Sequence, residues 1–216
     1  MDDSYKKNVR LKKGWYPPAE TRIPISALCS ALLPCTADFQ SEFRKYLKVE
    51  HCVIANSGRV LQTLVLKALF KASGSQRDEV LIPGYTCYSV AASIVRAGLK
   101  IRVYDLDPHT FQPDEVSVSR CVNEKTLAIV AQHLFGIPTS VDGLRKFAET
   151  SGAILIEDAA QALGASVRGC QVGTLGDFGF YSFGRGKPLP LGCGGALIGR
   201  DHNILQDIAL PQNGRG

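Results

Sequence analysis

Three segments in the last third of the chain combine reactive residue types with glycine. Ile156-Glu157-Asp158-Ala159-Ala160-Gln161 is an apolar run that turns acidic at its end. Val172-Gly173-Thr174-Leu175-Gly176-Asp177 follows. Next come Tyr181-Ser182-Phe183-Gly184-Arg185-Gly186-Lys187 and Gly194-Gly195-Ala196-Leu197. Amines bond covalently to carbonyl compounds and carboxylates hold cations or protons, so a lysine and an aspartate brought together suit such chemistry. Taken singly, Lys187 between Gly186 and Pro188 reads as a solvated loop lysine, and Asp158 as a helix N-cap or turn acid. Ten of the 21 glycines fall between Gly169 and Gly199, which implies backbone in unusual conformations or close to a ligand.

These residues need a scaffold, and the chain supplies an alternating one from His51 onward. His51–Ala55 reads as a strand, and a helix after Gly58 carries Val60, Leu61, Leu64, Val65, Ala68 and Leu69 on one face. Glu79–Ile82, Ile101–Tyr104, Leu127–Ala131 and Ala153–Ile156 read as strands, with helices over Ser89–Ala97 and Val141–Thr150. Phe178–Phe183 and Gly195–Ile198 are further short strands. Continuously apolar strands alternating with helices predict an α/β fold, a mostly parallel sheet with helices on both faces. Ligands of such sheets gather outside the carboxyl ends of the strands. Upstream, residues 1–35 hold Pro17, Pro18, Pro24 and Pro34 and read as an extended arm, with Trp15 as an anchor. Thr36 suits an N-cap for an amphipathic helix carrying Phe39, Phe43, Tyr46 and Leu47.

With E-D-A-A-Q, G-x-L-G-D and S-F-x-x-x-K in this order, the sequence from about Pro17 onward resembles the DegT/DnrJ family of pyridoxal-phosphate (PLP) sugar aminotransferases, of the aspartate-aminotransferase-like fold. The resemblance implies a fold type I large domain over 36–216. PLP acts as an electron sink, and the protein supplies a Schiff-base lysine and an acid for the pyridinium nitrogen. By resemblance Lys187 is that lysine and Asp158 that acid, while Gln161 meets the phenolic oxygen side of the cofactor. Ser57, Gly58 and Arg59 stand where the family commonly reads S-G-T, and would cradle the phosphate at a helix N-terminus. Arg59 replaces the small hydroxyl residue there, so its guanidinium either binds the phosphate or turns to a carboxylate. Ser182 matches the serine that donates to the phosphate. In Pro83-Gly84-Tyr85-Thr86-Cys87-Tyr88 the usual ring-stacking aromatic aligns with Cys87. Either Tyr88 takes that role, or a thiol lies against the cofactor ring and Tyr85 and Tyr88 are core aromatics. His133, in Gln132-His133-Leu134-Phe135-Gly136, reads first as a hydrogen-bonded structural histidine beside the cleft and second as a general acid/base.

The resemblance implies amino transfer from an amino acid, glutamate by analogy, to a keto sugar that is nucleotide-linked, in a homodimer or with a partner chain. Lys187 argues against the family's dehydratase branch, where histidine replaces the lysine. Family chains are nearly twice as long, so the small C-terminal domain is expected to be absent. That leaves two rivals: a non-catalytic fragment acting as a cofactor-binding or interaction module, and a different PLP reaction such as decarboxylation or β-elimination. Composition narrows the rest. The formal charge of +5 owes a net +3 to the first thirteen residues, five basic against two acidic, so a nucleic-acid face is not expected. Seven cysteines, Cys29, Cys35, Cys52, Cys87, Cys121, Cys170 and Cys193, show no C-x-x-C, and no zinc-like His/Cys spacing exists. With no apolar leader or spanning segment in view, the expectation is a reduced, cytoplasmic protein with no membrane or metal partner.

Overall fold

The computed structural model describes residues 24–31 and 38–208. Its strands, in chain order, are β1 (Cys52–Ala55), β2 (Glu79–Pro83), β3 (Lys100–Tyr104), β4 (Thr126–Gln132), β5 (Ile154–Asp158), β6 (Ser166–Val167), β7 (Cys170–Gln171), β8 (Phe178–Ser182) and β9 (Gly195–Gly199). Seven of them form one sheet in the order β1-β9-β8-β5-β4-β2-β3, and β6 and β7 make a separate small hairpin. The pairs β2/β3, β2/β4, β4/β5 and β5/β8 are parallel, while β9 runs antiparallel to both its neighbours. The sheet is therefore mostly parallel.

Helices cover both faces, and the strand alternation shows why. Val80, Ile82, Val130 and Ile156 pack with α3 (Gly58–Ala72), α4 (Tyr88–Arg96) and α7 (His202–Ile208). Their neighbours Leu81, Ile129 and Leu155 pack on the opposite side with α5 (Glu115–Cys121) and α6 (Val141–Ser151). Successive strand residues point to opposite faces, so an apolar run feeds two cores at once. A third cluster lies over β1, β8 and β9, where Phe43 of α2 (Phe39–Leu47) meets Tyr181 and Phe183 edge-on at 5.4 Å between ring centroids.

Several local expectations differ from the structure. α2 is capped by Asp38, whose carboxylate accepts from the Ser41 amide at 3.0 Å; Thr36 lies outside the described residues. Ile25–Ala31, within the stretch read as extended, forms α1. Trp15 lies outside the described residues. α5 was not expected from the sequence, and Glu115-Val116-Ser117-Val118 alternates like a strand. Asp114 overrides that pattern by accepting from the Val116 and Ser117 amides at 2.8 and 3.1 Å. No helix of the described residues is long and apolar enough to cross a membrane.

The glycine-rich stretch has a structural explanation. Five of its ten glycines have positive φ, including Gly173 at +92°. A Cβ on Gly195 would fall 2.4 Å from the Gly58 amide nitrogen and 2.7 Å from the Tyr181 carbonyl. Gly195 thus lets the start of α3 sit directly on the β8–β9 ladder. None of the ten lines the cleft described next, and positive φ or close packing accounts for nine of them, all but Gly184.

Candidate active site

A cleft of about 210 Å³ opens at the carboxyl ends of the parallel strands, beside the N-terminus of α3. All eight residues singled out from the sequence line it: Ser57, Gly58, Arg59, Tyr88, Asp158, Gln161, Ser182 and Lys187. A larger hollow of about 460 Å³ lies at the other end of the sheet beside His51, Phe178 and Gly199, away from the lysine and the aspartate.

Asp158 ends β5 on the cleft side, with Glu157 on the reverse. Its side chain is only 4% exposed, and Oδ1 accepts from the Ala160 amide at 3.0 Å. Burial pushes the Asp158 carboxyl above its ordinary value, while the Ala160 N–H and the Lys187 charge pull it back down. Such a carboxylate, short of full compensation, suits a cationic partner in the cleft. Lys187 follows a tight turn in which its own amide donates to the Gly184 carbonyl at 3.2 Å, and it is half-buried against the cleft.

Gln161 is oriented from outside. Its Oε1 accepts from the Phe135 amide at 2.9 Å, which leaves the Nε2 donors for the cleft. Ser57 caps α3, its hydroxyl accepting from the Arg59 amide at 3.2 Å. One of the two amides expected at the phosphate is therefore already engaged. The Arg59 guanidinium lies over the Tyr88 ring at 5.8 Å, neither against a carboxylate nor in an ion pair among the described residues. Tyr88 lines the cleft but is 73% exposed, and Tyr85 is exposed as well, so neither is a core aromatic. Cys87 also lines the cleft, at the N-cap of α4.

His133 takes the structural role. Its Nδ1 accepts from the Thr139 amide at 3.0 Å, so Nε2 carries the hydrogen and donates to Glu157 Oε2 at 2.8 Å. Both ring nitrogens are engaged by partners within the fold. Glu157, fully buried, also accepts from the amides of Gly173, Leu175 and Gly176 at 2.8, 2.6 and 2.5 Å. Asp177 clasps the start of β5 by accepting from the Leu155 amide at 2.8 Å. The G-x-L-G-D segment is thus a strap that grips β5 from behind and holds its last residue at the cleft.

Among the cleft residues missed from the sequence are two buried amides, Gln62 and Gln132. Gln62 Nε2 and Gln132 Oε1 are buried with no hydrogen-bond partner among the described residues. Gln132 sits beside Asp158 in the strand register, and Gln62 lies one turn beyond Gly58. A polar amide interrupting an apolar helix face, or ending an apolar strand, was the available signal. An unmet donor and an unmet acceptor fit a polar ligand that completes them. With a buried carboxylate, an amine and a helix N-terminus, this donor set suits PLP.

Comparison with known proteins gives the same direction. Residues 30–214 match the DegT/DnrJ/EryC1/StrS aminotransferase family. The chain belongs to this family. GDP-perosamine synthase of Vibrio cholerae is 33% identical over 175 residues, which is 81% of this chain and 47% of that protein. The L-glutamine:2-deoxy-scyllo-inosose aminotransferase of Streptomyces paromomycinus is 37% identical, over 79% of this chain and 39% of its own. The fold matches that of the E. coli GDP-4-keto-6-deoxy-D-mannose-3-dehydratase with bound hydrated PLP, with a TM-score of 0.74 at 24% identity over 88% of this chain and 52% of that one. PLP is the cofactor of the family's aminotransferases. The chain spans half or less of the length of these two relatives.

Proposed function

We propose that this DegT/DnrJ chain binds PLP in the cleft and transfers an amino group from an amino acid to a keto sugar, nucleotide-linked in form. The observation that carries the reading is that Lys187 and the buried Asp158 line one cleft. PLP, when bound, supplies the electron sink that makes the carbon–hydrogen bond next to nitrogen acidic. Lys187 would be the amine that holds the cofactor, and its Nζ would move the proton. Asp158 accepts the hydrogen bond of the ring nitrogen and keeps it protonated. Gln161 donates from Nε2 to the phenolic oxygen, and Ser57, Gly58, Arg59 and Ser182 hold the phosphate end. Tyr88 stands beside the ring. The lysine also speaks against the dehydratase branch.

Residues 36–216 act in this reading as a PLP-binding large domain, preceded by an arm over 1–35, in a cytoplasmic homodimer. Support for association comes from Tyr85, Phe111 and Phe135, whose ring centroids lie 6.3–6.4 Å apart next to the cleft. A second reading is a non-catalytic fragment that acts as a cofactor-binding or interaction module.

The test incubates the purified chain and PLP with ¹⁵N-glutamate and a panel of keto sugars, and identifies products by mass. Labelled amino sugar is expected, falling roughly 10²-fold or more in Lys187→Ala. Transfer that ignores this substitution would refute the mechanism. Decarboxylated or eliminated products would indicate a different PLP reaction. Turnover that requires a second protein would favour the module.

A further inference from the structure

The phosphate cradle named above has lost one of its donors. Ser57 engages the Arg59 amide, and the Arg59 guanidinium is drawn over Tyr88. One side chain in the cleft has the opposite problem. Gln62 is 2% exposed, and its Nε2 has no partner among the described residues. It sits four residues after Gly58 in a helix of 15 residues, on the same face and one turn in. Side chains on a helix lean toward its N-terminus, so the Gln62 amide reaches back toward the first turn. Burying an amide donor without a partner is unfavourable, and an anion at the helix start would satisfy it with a charge-assisted hydrogen bond.

We infer that Gln62 is a phosphate ligand of this chain, supplying the side-chain donor that the residue after Gly58 would otherwise give. Arg59 instead braces Tyr88 at the cleft mouth, its own amide held by the Ser57 hydroxyl. The inference rests on the proposed PLP site and adds the residue that discriminates phosphorylated from unphosphorylated ligand. Leucine is close in size to glutamine and suits the apolar face formed by Leu61, Val65 and Leu66, so Gln62→Leu removes the donor with little change in packing.

The experiment titrates the full chain, Gln62→Leu, Gln62→Glu and Arg59→Thr with PLP, with pyridoxal and with inorganic phosphate. Absorbance follows the first two, and thermal stabilisation follows the third. Gln62→Leu is expected to bind PLP roughly tenfold more weakly and to lose most phosphate stabilisation, with pyridoxal unchanged. Gln62→Glu should bind PLP more weakly still, by repulsion, and this variant carries the test if the leucine variant does not fold. Arg59→Thr should show the smaller loss. Equal PLP affinity in the wild type and a folded Gln62 variant would overturn the inference, as would equal losses for PLP and pyridoxal or a larger loss in Arg59→Thr. Failure of the wild type to bind PLP, with phosphate still protecting it through Gln62, would sink the proposed function and leave the anion site standing.

Discussion

Asp158 and Glu157 are adjacent acids with opposite surroundings, and they separate function from scaffold. Asp158 faces the cleft with its carboxyl pushed up by burial. A folded-state value above the unfolded one means the folded chain binds the extra proton. Stability from that source is present at low pH and falls as pH rises through the folded value. Without PLP, the wild type should therefore lose stability with rising pH over that window, and Asp158→Asn should show a flatter profile in thermal melts. Addition of PLP should restore the wild type alone, since only the carboxylate pairs with a cationic ring nitrogen. Glu157 behaves differently because four donors already saturate its two oxygens. Glu157→Gln would set an NH₂ against N–H donors, and it should cost about 3 kcal/mol in urea unfolding. Both acids were visible in E-D-A-A-Q, and their division between faces followed from strand alternation. The strap around Glu157 was not visible, because it is built from backbone amides whose convergence no side-chain pattern records.

At the scale of elements, the cleft depends on how closely α3 approaches the β8–β9 ladder. Gly195→Ala would drive a methyl group into the Gly58 backbone. It should destabilise the chain by about 1–3 kcal/mol and weaken PLP binding beyond what the stability loss explains. Melts paired with PLP titration measure both effects. Strands and long helices were legible because apolar runs and 3.6-residue stripes report packing directly. The short α5 and α7 were not, since each rests on one aspartate, Asp114 or Asp201, capping through side-chain bonds. The glycine-rich stretch was located correctly as special. Of its two readings, the one of unusual backbone conformation holds for half of its glycines, and sequence could not choose between them because close backbone packing and ligand contact demand the same residue type.

At the scale of the whole molecule, the exposed rings of Tyr85 and Phe135, with the half-buried Phe111 between them, are the feature that a lone chain explains least. Phe111 and Phe135 have φ of +57° and +55°, uncommon for phenylalanine. Asparagine tolerates that conformation, so Phe111→Asn with Phe135→Asn should keep the fold while removing apolar surface. Sedimentation velocity should then show weaker self-association than the wild type, with unchanged melting. Equal association would place the contact surface elsewhere. None of this was readable from sequence, since three rings from separate loops meet only once β2, β3 and β4 are aligned.

The central claim is that Lys187 and Asp158 form a working PLP site in this chain, and one spectrum tests it most directly. The purified 216-residue protein is mixed with PLP beside Lys187→Ala, and the visible absorption is recorded before and after borohydride. The account predicts a protein-dependent band that borohydride bleaches, with the label fixed on Lys187, and no such band in the variant. A wild-type spectrum identical to free PLP, or a band that survives in Lys187→Ala, would contradict it.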